Sequence, residues 1–294
     1  MSILSLFDIS RTSLLASKRA IDATAHNVSN SATTGYTRQD VILSSIPTGP
    51  ILSDATSGRG VRIAEVKRMY DSFTTFQLRH EKANLSYWDT FNTSVIKIEN
   101  LFNETSESSL STAMTDFFNA WKEISQNPEG YPQRALLLNK AEYLSTRISR
   151  TYSTLQDERI EILKDSEALI NEVNNIGRDI ADLNVKIAGS PSSHDLRDQR
   201  DILVERLNEI IRVSTFEDNA GRYSVLIGGT PIVDGGTAYD MSVAADADNN
   251  LVFFVNLPNE QRDITNLITA GELKAHINLR DDVIVDYMNR INAL

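Results

Sequence analysis

The chain has 294 residues, 41% apolar and 23% charged, enough for one large domain or two or three smaller ones. Its 40 acidic against 29 basic residues give a formal charge of -11, which offers no electrostatic grip on phosphate backbones or anionic lipid and excludes nucleic-acid and membrane-surface roles first. No run approaches a spanning helix, the amino terminus lacks the segments of a cleavable signal, and the absence of cysteine removes disulfides, thiolate nucleophiles and thiolate metal sites together.

In the first segment, from Ile3 to Val28, the residues Phe7, Leu14, Ile21 and Val28 recur every seven positions, with Ala16, Ala20 and Ala23 nearby. That is one narrow seam on a helix. So thin a stripe cannot hold an isolated helix, because nucleation is costly, and the segment is expected to wait for a packing partner. Residues 27–60 are rich in Ser, Thr, Asn, Gly and Pro and are broken by Val41-Ile42-Leu43, which predicts an extended loop with short strands. A brief strand is predicted over Val61 to Val66.

From about Asp71 the spacing changes to three and four. Trp88, Phe91, Val95, Ile98 and Phe102, then Leu110, Met114, Phe117, Trp121 and Ile124, predict two consecutive core-facing helices. After a stop and restart at Asn127 to Pro132, one heptad register runs from Leu144 through Leu155, Ile162, Val173 and Ile180 to Ile187, with non-apolar core positions at Arg159 and Ser166. A helix from Pro132 to Gly189 would be about 80 Å long, whereas a globule of this chain length would be about 50 Å across. The helix does not fit inside a ball, so a rod of packed helices is expected, and rods usually belong to assemblies.

Ser192 and Ser193 can cap a further helix from Asp195 to about Arg212. β-type segments separated by Gly and Asn turns follow up to Leu257. Leu273, Ile277, Ile284, Met288 and Ile291 then give a last helix whose pattern is still running at Leu294, as if cut. The expected fold is mainly α with a smaller β part: an elongated multi-helix bundle or coiled-coil rod plus a small antiparallel β domain. The expected division is an axial helix with an extended loop over 1–70, the long helical bundle over 71–212, the β domain over 213–260 and a return helix over 261–294.

Candidate chemistry is sparse. His26, His80, His194 and His276 each stand alone, without the i+3 or i+4 partner of a helical metal pair. Asp246, Asp248 and Asn250 imitate a calcium loop, but Leu251 stands where the loop needs Gly and Leu257 where it needs Glu. Gly228-Gly229 and Gly235-Gly236 read as turns rather than phosphate loops. The carboxylates Asp195, Asp198 and Asp201 interleave with Arg197 and Arg200, a pattern that favours a surface ion-pair lattice over acid-base catalysis. The stripe from Trp88 to Trp121 reads as core packing. No catalytic, cofactor or metal site is expected, and no enzyme.

The string from Leu14 to Asn30, LLASKRAIDATAHNVSN, continuing through Thr34-Gly35-Tyr36-Thr37-Arg38-Gln39, resembles the signature shared by bacterial flagellar rod, hook and hook-associated proteins. The Asp195 to Asp201 run and the hairpin from Ile227-Gly228-Gly229 to Ile232-Val233-Asp234-Gly235 are similar to hook-associated members at the hook-filament junction. The resemblance covers essentially the whole chain. It implies a structural axial protein of the extracellular flagellum whose terminal helices form an inner tube and whose bundle forms the next shell. It also implies passage, uncleaved, through the flagellar type III export apparatus with an export chaperone. The implied partners are identical copies in a ring, the hook protein, and a second junction protein on the filament side. Carried over residue by residue, the assembly surface would be Phe7, Leu14, Ile21 and Val28, with Asn27, Asn30, Gly35 and Tyr36 shaping the turn after it.

Two departures stand out. Thr34 occupies the place where the family commonly has Pro, which bears on the rigidity of that turn. The family also continues to a carboxy-terminal helix that pairs with the amino-terminal one and is not in these residues. The alternatives are another axial subunit, of rod or hook, and, more remotely, a hydrolase built on the 195–201 carboxylates.

Overall fold

A computed structural model of the protein describes residues 3–46, 60–102, 109–190 and 192–293. The chain opens with α1 (Ile3–Ser29), followed by an antiparallel pair, β1 (Gln39–Ser45) and β2 (Val61–Arg68), whose register shifts between Ile42 and Leu43. Asp71 caps α2 (Ser72–Leu101) by accepting the amides of Phe73 and Thr74, and Ser109 caps α3 (Leu110–Gln126) through the Thr112 amide. Pro132 lies in the first turn of α4 (Tyr131–Gly189), where its missing N–H costs nothing. α4 spans 59 residues, about 90 Å at the helical rise.

α5 (His194–Ile210) starts beside Ser193, whose side chain makes no capping bond, contrary to the expectation for that serine. Two antiparallel sheets follow in chain order: β3 (Ser214–Glu217), β4 (Tyr223–Ile227), β5 (Thr230–Asp234) and β6 (Thr237–Ala238), then β7 (Met241–Ala245), β8 (Leu251–Asn256) and β9 (Gln261–Asp263). Gly228 and Gly229 adopt φ of 53° and 90°, the conformation a two-residue hairpin turn demands at both central positions. Asp246 accepts the amides of Asp248 and Asn250, making a polar turn. The chain closes with α6 (Glu272–Ile277), a π turn (Asn278–Val283) and α7 (Ile284–Asn292).

The main core unites the second half of α4 with α5, both sheets, α6 and α7. Ile162, Ile176, Ile180, Val204, Leu207, Phe253, Leu273 and Ile284 belong to one buried cluster. Two asparagines on α4 dock the sheets by imitating a strand edge. Asn174 exchanges both hydrogen bonds with Met241 at 2.6 and 3.0 Å, and Asn184 does the same with Tyr223 at 2.8 and 2.9 Å. The two polar gaps in the heptad are also buried, and each has a distant partner. Arg159 donates to the Asn249 carbonyl at 2.6 Å, and Ser166 Oγ lies 2.9 Å from His276 Nδ1. Arg280, projecting from the π turn, donates to Arg159 O and to Asn249 O and Oδ1. The aromatic stripe departs from expectation: Ile98 is buried, but Trp88 and Trp121 are 61% and 59% exposed, so only part of that seam is core.

Candidate functional site

α1 has two faces. On one, Ala16 is buried and Ile9, Thr12, Ala20, Ala23 and Asn27 are half-buried, and the helix lies on β1 and β2. Small side chains allow that close approach. On the other face Phe7, Leu14, Ile21 and Val28 are 72%, 72%, 67% and 68% exposed, and Ile3 and Leu6 extend the stripe towards the amino terminus. The alanines read as neighbours of the seam therefore lie across the helix from it, about 140° away at 100° per residue.

The turn after α1 is held by side chains. Asn27 donates to Gln39 O at 2.8 Å and accepts the Gln39 amide at 2.9 Å, so one side chain substitutes for a paired strand. The Tyr36 hydroxyl donates to Asn27 Oδ1 at 2.7 Å and lies 2.9 Å from His26 Nδ1. Burial, then the charges of Asp195 and Asp198, raise the Tyr36 pKa, which keeps this donor protonated. Asn30 donates to His26 O at 3.0 Å and accepts from Thr33 Oγ1 at 3.3 Å. Gly35 has φ of 76°, and a Cβ there would stand 2.5 Å from Ile202 Cδ1 on α5. Only glycine meets both demands. Asn27, Asn30, Gly35 and Tyr36 thus converge on the turn, whereas Phe7, Leu14, Ile21 and Val28 line a separate surface.

The Asp195 to Asp201 run is not the surface lattice that its spacing suggests. Asp198 and Arg200 are 6% and 0% exposed, and their partners come from other elements. Arg68 Nη2, at the end of β2, donates to Asp198 Oδ1 at 2.5 Å and to Asp201 Oδ2 at 2.8 Å. Arg79 of α2 donates to Asp201 Oδ1 at 3.0 Å, the Thr37 amide to Asp198 Oδ2 at 3.2 Å, and the Tyr223 hydroxyl to Asp201 Oδ1 at 3.3 Å. Burial alone would lower the Arg68 pKa, but the carboxylates of Asp201 and Asp198 outweigh it and the net shift is upward. Arg200 turns inward, with its guanidinium 3.4 Å from the centre of the Tyr223 ring, and donates to Asn184 Oδ1 and Gly221 O. Sequence reasoning missed Arg68, Arg79 and Tyr223. The signal was the excess of like charge on one helix face, which calls for cations from elsewhere in the chain.

This arrangement binds one part of the chain to another and occupies Asp198 and Asp201 with donors from other elements, while Asp195 stays at the surface. Among the described residues no group of His, Asp and Glu is arranged to hold a metal, and no helix is long and apolar enough to cross a membrane.

Residues 95–294 match the family model described as the flagellar hook-associated protein FlgK helical domain. The chain belongs to the FlgK family. It is 29% identical over 301 aligned residues to flagellar hook-associated protein 1 of Escherichia coli K12, covering 99% of this chain and 55% of that one. Against the Salmonella typhimurium protein of the same name it is again 29% identical, covering 99% and 54%. Against the Bacillus subtilis one it is 28% identical over 227 residues, covering 73% and 44%. The chain spans about half the length of these relatives. The solved structure of the flagellar hook junction protein FlgK from Burkholderia pseudomallei shares the fold, with a TM-score of 0.63 at 24% identity over 70% of this chain and 39% of that one. The mainly α architecture with a smaller antiparallel part, expected from the sequence, is the one this neighbour has.

Proposed function

We propose that this FlgK-family chain is a structural subunit of the bacterial flagellum, joining hook to filament by self-assembly of its helical surfaces and performing no catalysis. The observation that carries the reading is the outer face of α1, where Phe7, Leu14, Ile21 and Val28 are each two-thirds or more exposed. Covering such side chains with a neighbouring copy would contribute on the order of 1.5–3 kcal/mol apiece, repeated around a ring. Asn27, Asn30, Gly35 and Tyr36 fix the turn that presents this face. On this reading residues 1–70 are the axial unit, and 71–212, 213–260 and 261–294 are the bundle, the β part and the return helix. The partners are identical copies, the hook protein and the second junction protein towards the filament. The subunit works outside the cell and reaches its place through the type III export apparatus with an export chaperone. No cofactor, nucleic acid or membrane enters the scheme, and the structural donors on Asp198 and Asp201 weigh against the hydrolase reading.

Deleting the gene tests this. Hooks without filaments are the expected phenotype, and cells without complete hooks would instead favour a rod or hook subunit. Amide exchange tests the surface: residues 1 to about 30 should exchange faster than the buried body in the isolated chain and gain protection in the assembled hook tip. Equal protection in both states would sink the α1 interface.

A further inference from the structure

Every hydrogen bond or ion pair that ties residues 3–68 to the helical body, among the described residues, ends on the first turns of α5. Val66 O lies 2.8 Å from His194 Nε2, Gln39 Nε2 lies 3.5 Å from Asp195, Thr37 donates to Asp198, and Arg68 bridges Asp198 and Asp201. Gly35 adds a van der Waals seat on Ile202. The covalent link is Met69-Tyr70-Asp71, which no regular element covers. The buried hydrophobic cluster of the body begins, in chain order, at Ile98, with Tyr87 the first partly buried residue packed on it, so among the described residues this cluster does not reach into 3–68. Parts of a chain joined by a small polar interface move relative to each other unless something specific holds them.

We propose that Asp198 and Asp201 are positioning residues of a latch, with Arg68 as its bolt, that holds α1 and its hairpin in one orientation on the helical body, the Met69 to Asp71 link being the hinge. The chemistry suits the role. Arg68 places a single nitrogen between two carboxylates, and its side chain and theirs are 10%, 8% and 13% exposed, so the charge-assisted bonds are directional and little weakened by water. Arg79 compensates Asp201 from within the body, so that carboxylate keeps a partner when Arg68 leaves. Hinges of this kind absorb their change in a few residues between elements. The latch sets the angle at which the seam of α1 is offered. It rests on contacts inside one chain and stands whether or not that seam assembles.

The chain contains no cysteine, so spin labels can be placed at will. Lys18→Cys on α1 and Lys186→Cys on α4, both exposed, report the distance between the two parts by pulsed electron resonance. A narrow distance distribution is expected with the latch intact. Arg68→Gln leaves α5 untouched and should broaden the distribution without loss of helical circular dichroism. Asp198→Asn should do the same from the other side, and Arg68→Lys, which keeps the charge on a shorter side chain with a different reach, should fall between. A distribution that stays narrow in Arg68→Gln would overturn the latch. So would one already broad in the unaltered chain. Should Asp198→Asn unfold the body, Arg68→Gln alone decides.

Discussion

Among the described residues, α1 with its hairpin and the core of the helical body place their apolar side chains differently. In the body many large ones turn inward, and Phe253, Ile180 and Leu207 are fully buried in one cluster, although Trp88 and Trp121 stay exposed. On α1 the order is reversed, because alanines face the hairpin while Phe7, Leu14, Ile21 and Val28 face solvent. Both parts obey the same helical periodicity. A hydrophobic repeat therefore reveals which side of a helix is adhesive, but not whether the surface it adheres to belongs to the same molecule.

The sharpest way to break this comparison is to truncate the body. Phe253→Ala should cost about 3–5 kcal/mol, read as a lowered urea midpoint, because Phe253 is fully buried in the main cluster. The next effect is electrostatic. Burial pushes His276 from its usual 6.5 down to about 4. Ser166 Oγ donates to Ile162 O at 2.7 Å and so accepts from the His276 Nδ1–H. The folded state keeps this histidine neutral, whereas the unfolded chain takes up a proton near pH 6.5, so unfolding is coupled to protonation inside that window. Stability should be full above it and fall as pH drops, losing roughly 3 kcal/mol by pH 4. Denaturation of the unaltered chain against His276→Gln, at neutral pH and about pH 5, measures the term. A dependence of equal size in both would assign it to the carboxylates instead.

A smaller effect belongs to the turn after α1. Asn27→Ala leaves the amide and carbonyl of Gln39 without their partner and should cost about 1–3 kcal/mol. The loss is local, so it is read as faster amide exchange at Gln39 and Tyr36 with an unchanged global midpoint. A drop in the global midpoint would mean that the two parts unfold together.

Much of this division was legible in the sequence. The α4 register, the small-residue turn after α1 and the alternating β segments all follow from local spacing, and the structure has them. Partners far apart in the chain were not legible. Asp195, Asp198 and Asp201 repeat every three residues beside arginines, which is how a solvated helix face also looks, and nothing local announces that Arg68 lies across from them, 130 positions away. Arg159 and Ser166 looked like gaps in a heptad because the residues that satisfy them, Asn249 in the turn between β7 and β8 and His276 beyond both sheets, lie 90 and 110 positions on. Trp88 and Trp121 were assigned to the core by their spacing alone, which does not say how far a neighbouring helix extends.

The smallest effect is the most informative. Phe7 is 72% exposed, so Phe7→Ala removes surface that already faces water, and the isolated chain should change by no more than about 0.5 kcal/mol. The sign should even be slightly favourable, since alanine is the better helix former by up to about 0.7 kcal/mol. In an assembly the same substitution would forfeit roughly 2 kcal/mol at every copy, so the predicted signature is an unchanged denaturation midpoint together with a raised concentration threshold for self-association. A fall of 1 kcal/mol or more in the isolated chain would mean that Phe7 already has an intramolecular partner. The two parts of the molecule would then bury their apolar residues in the same way after all.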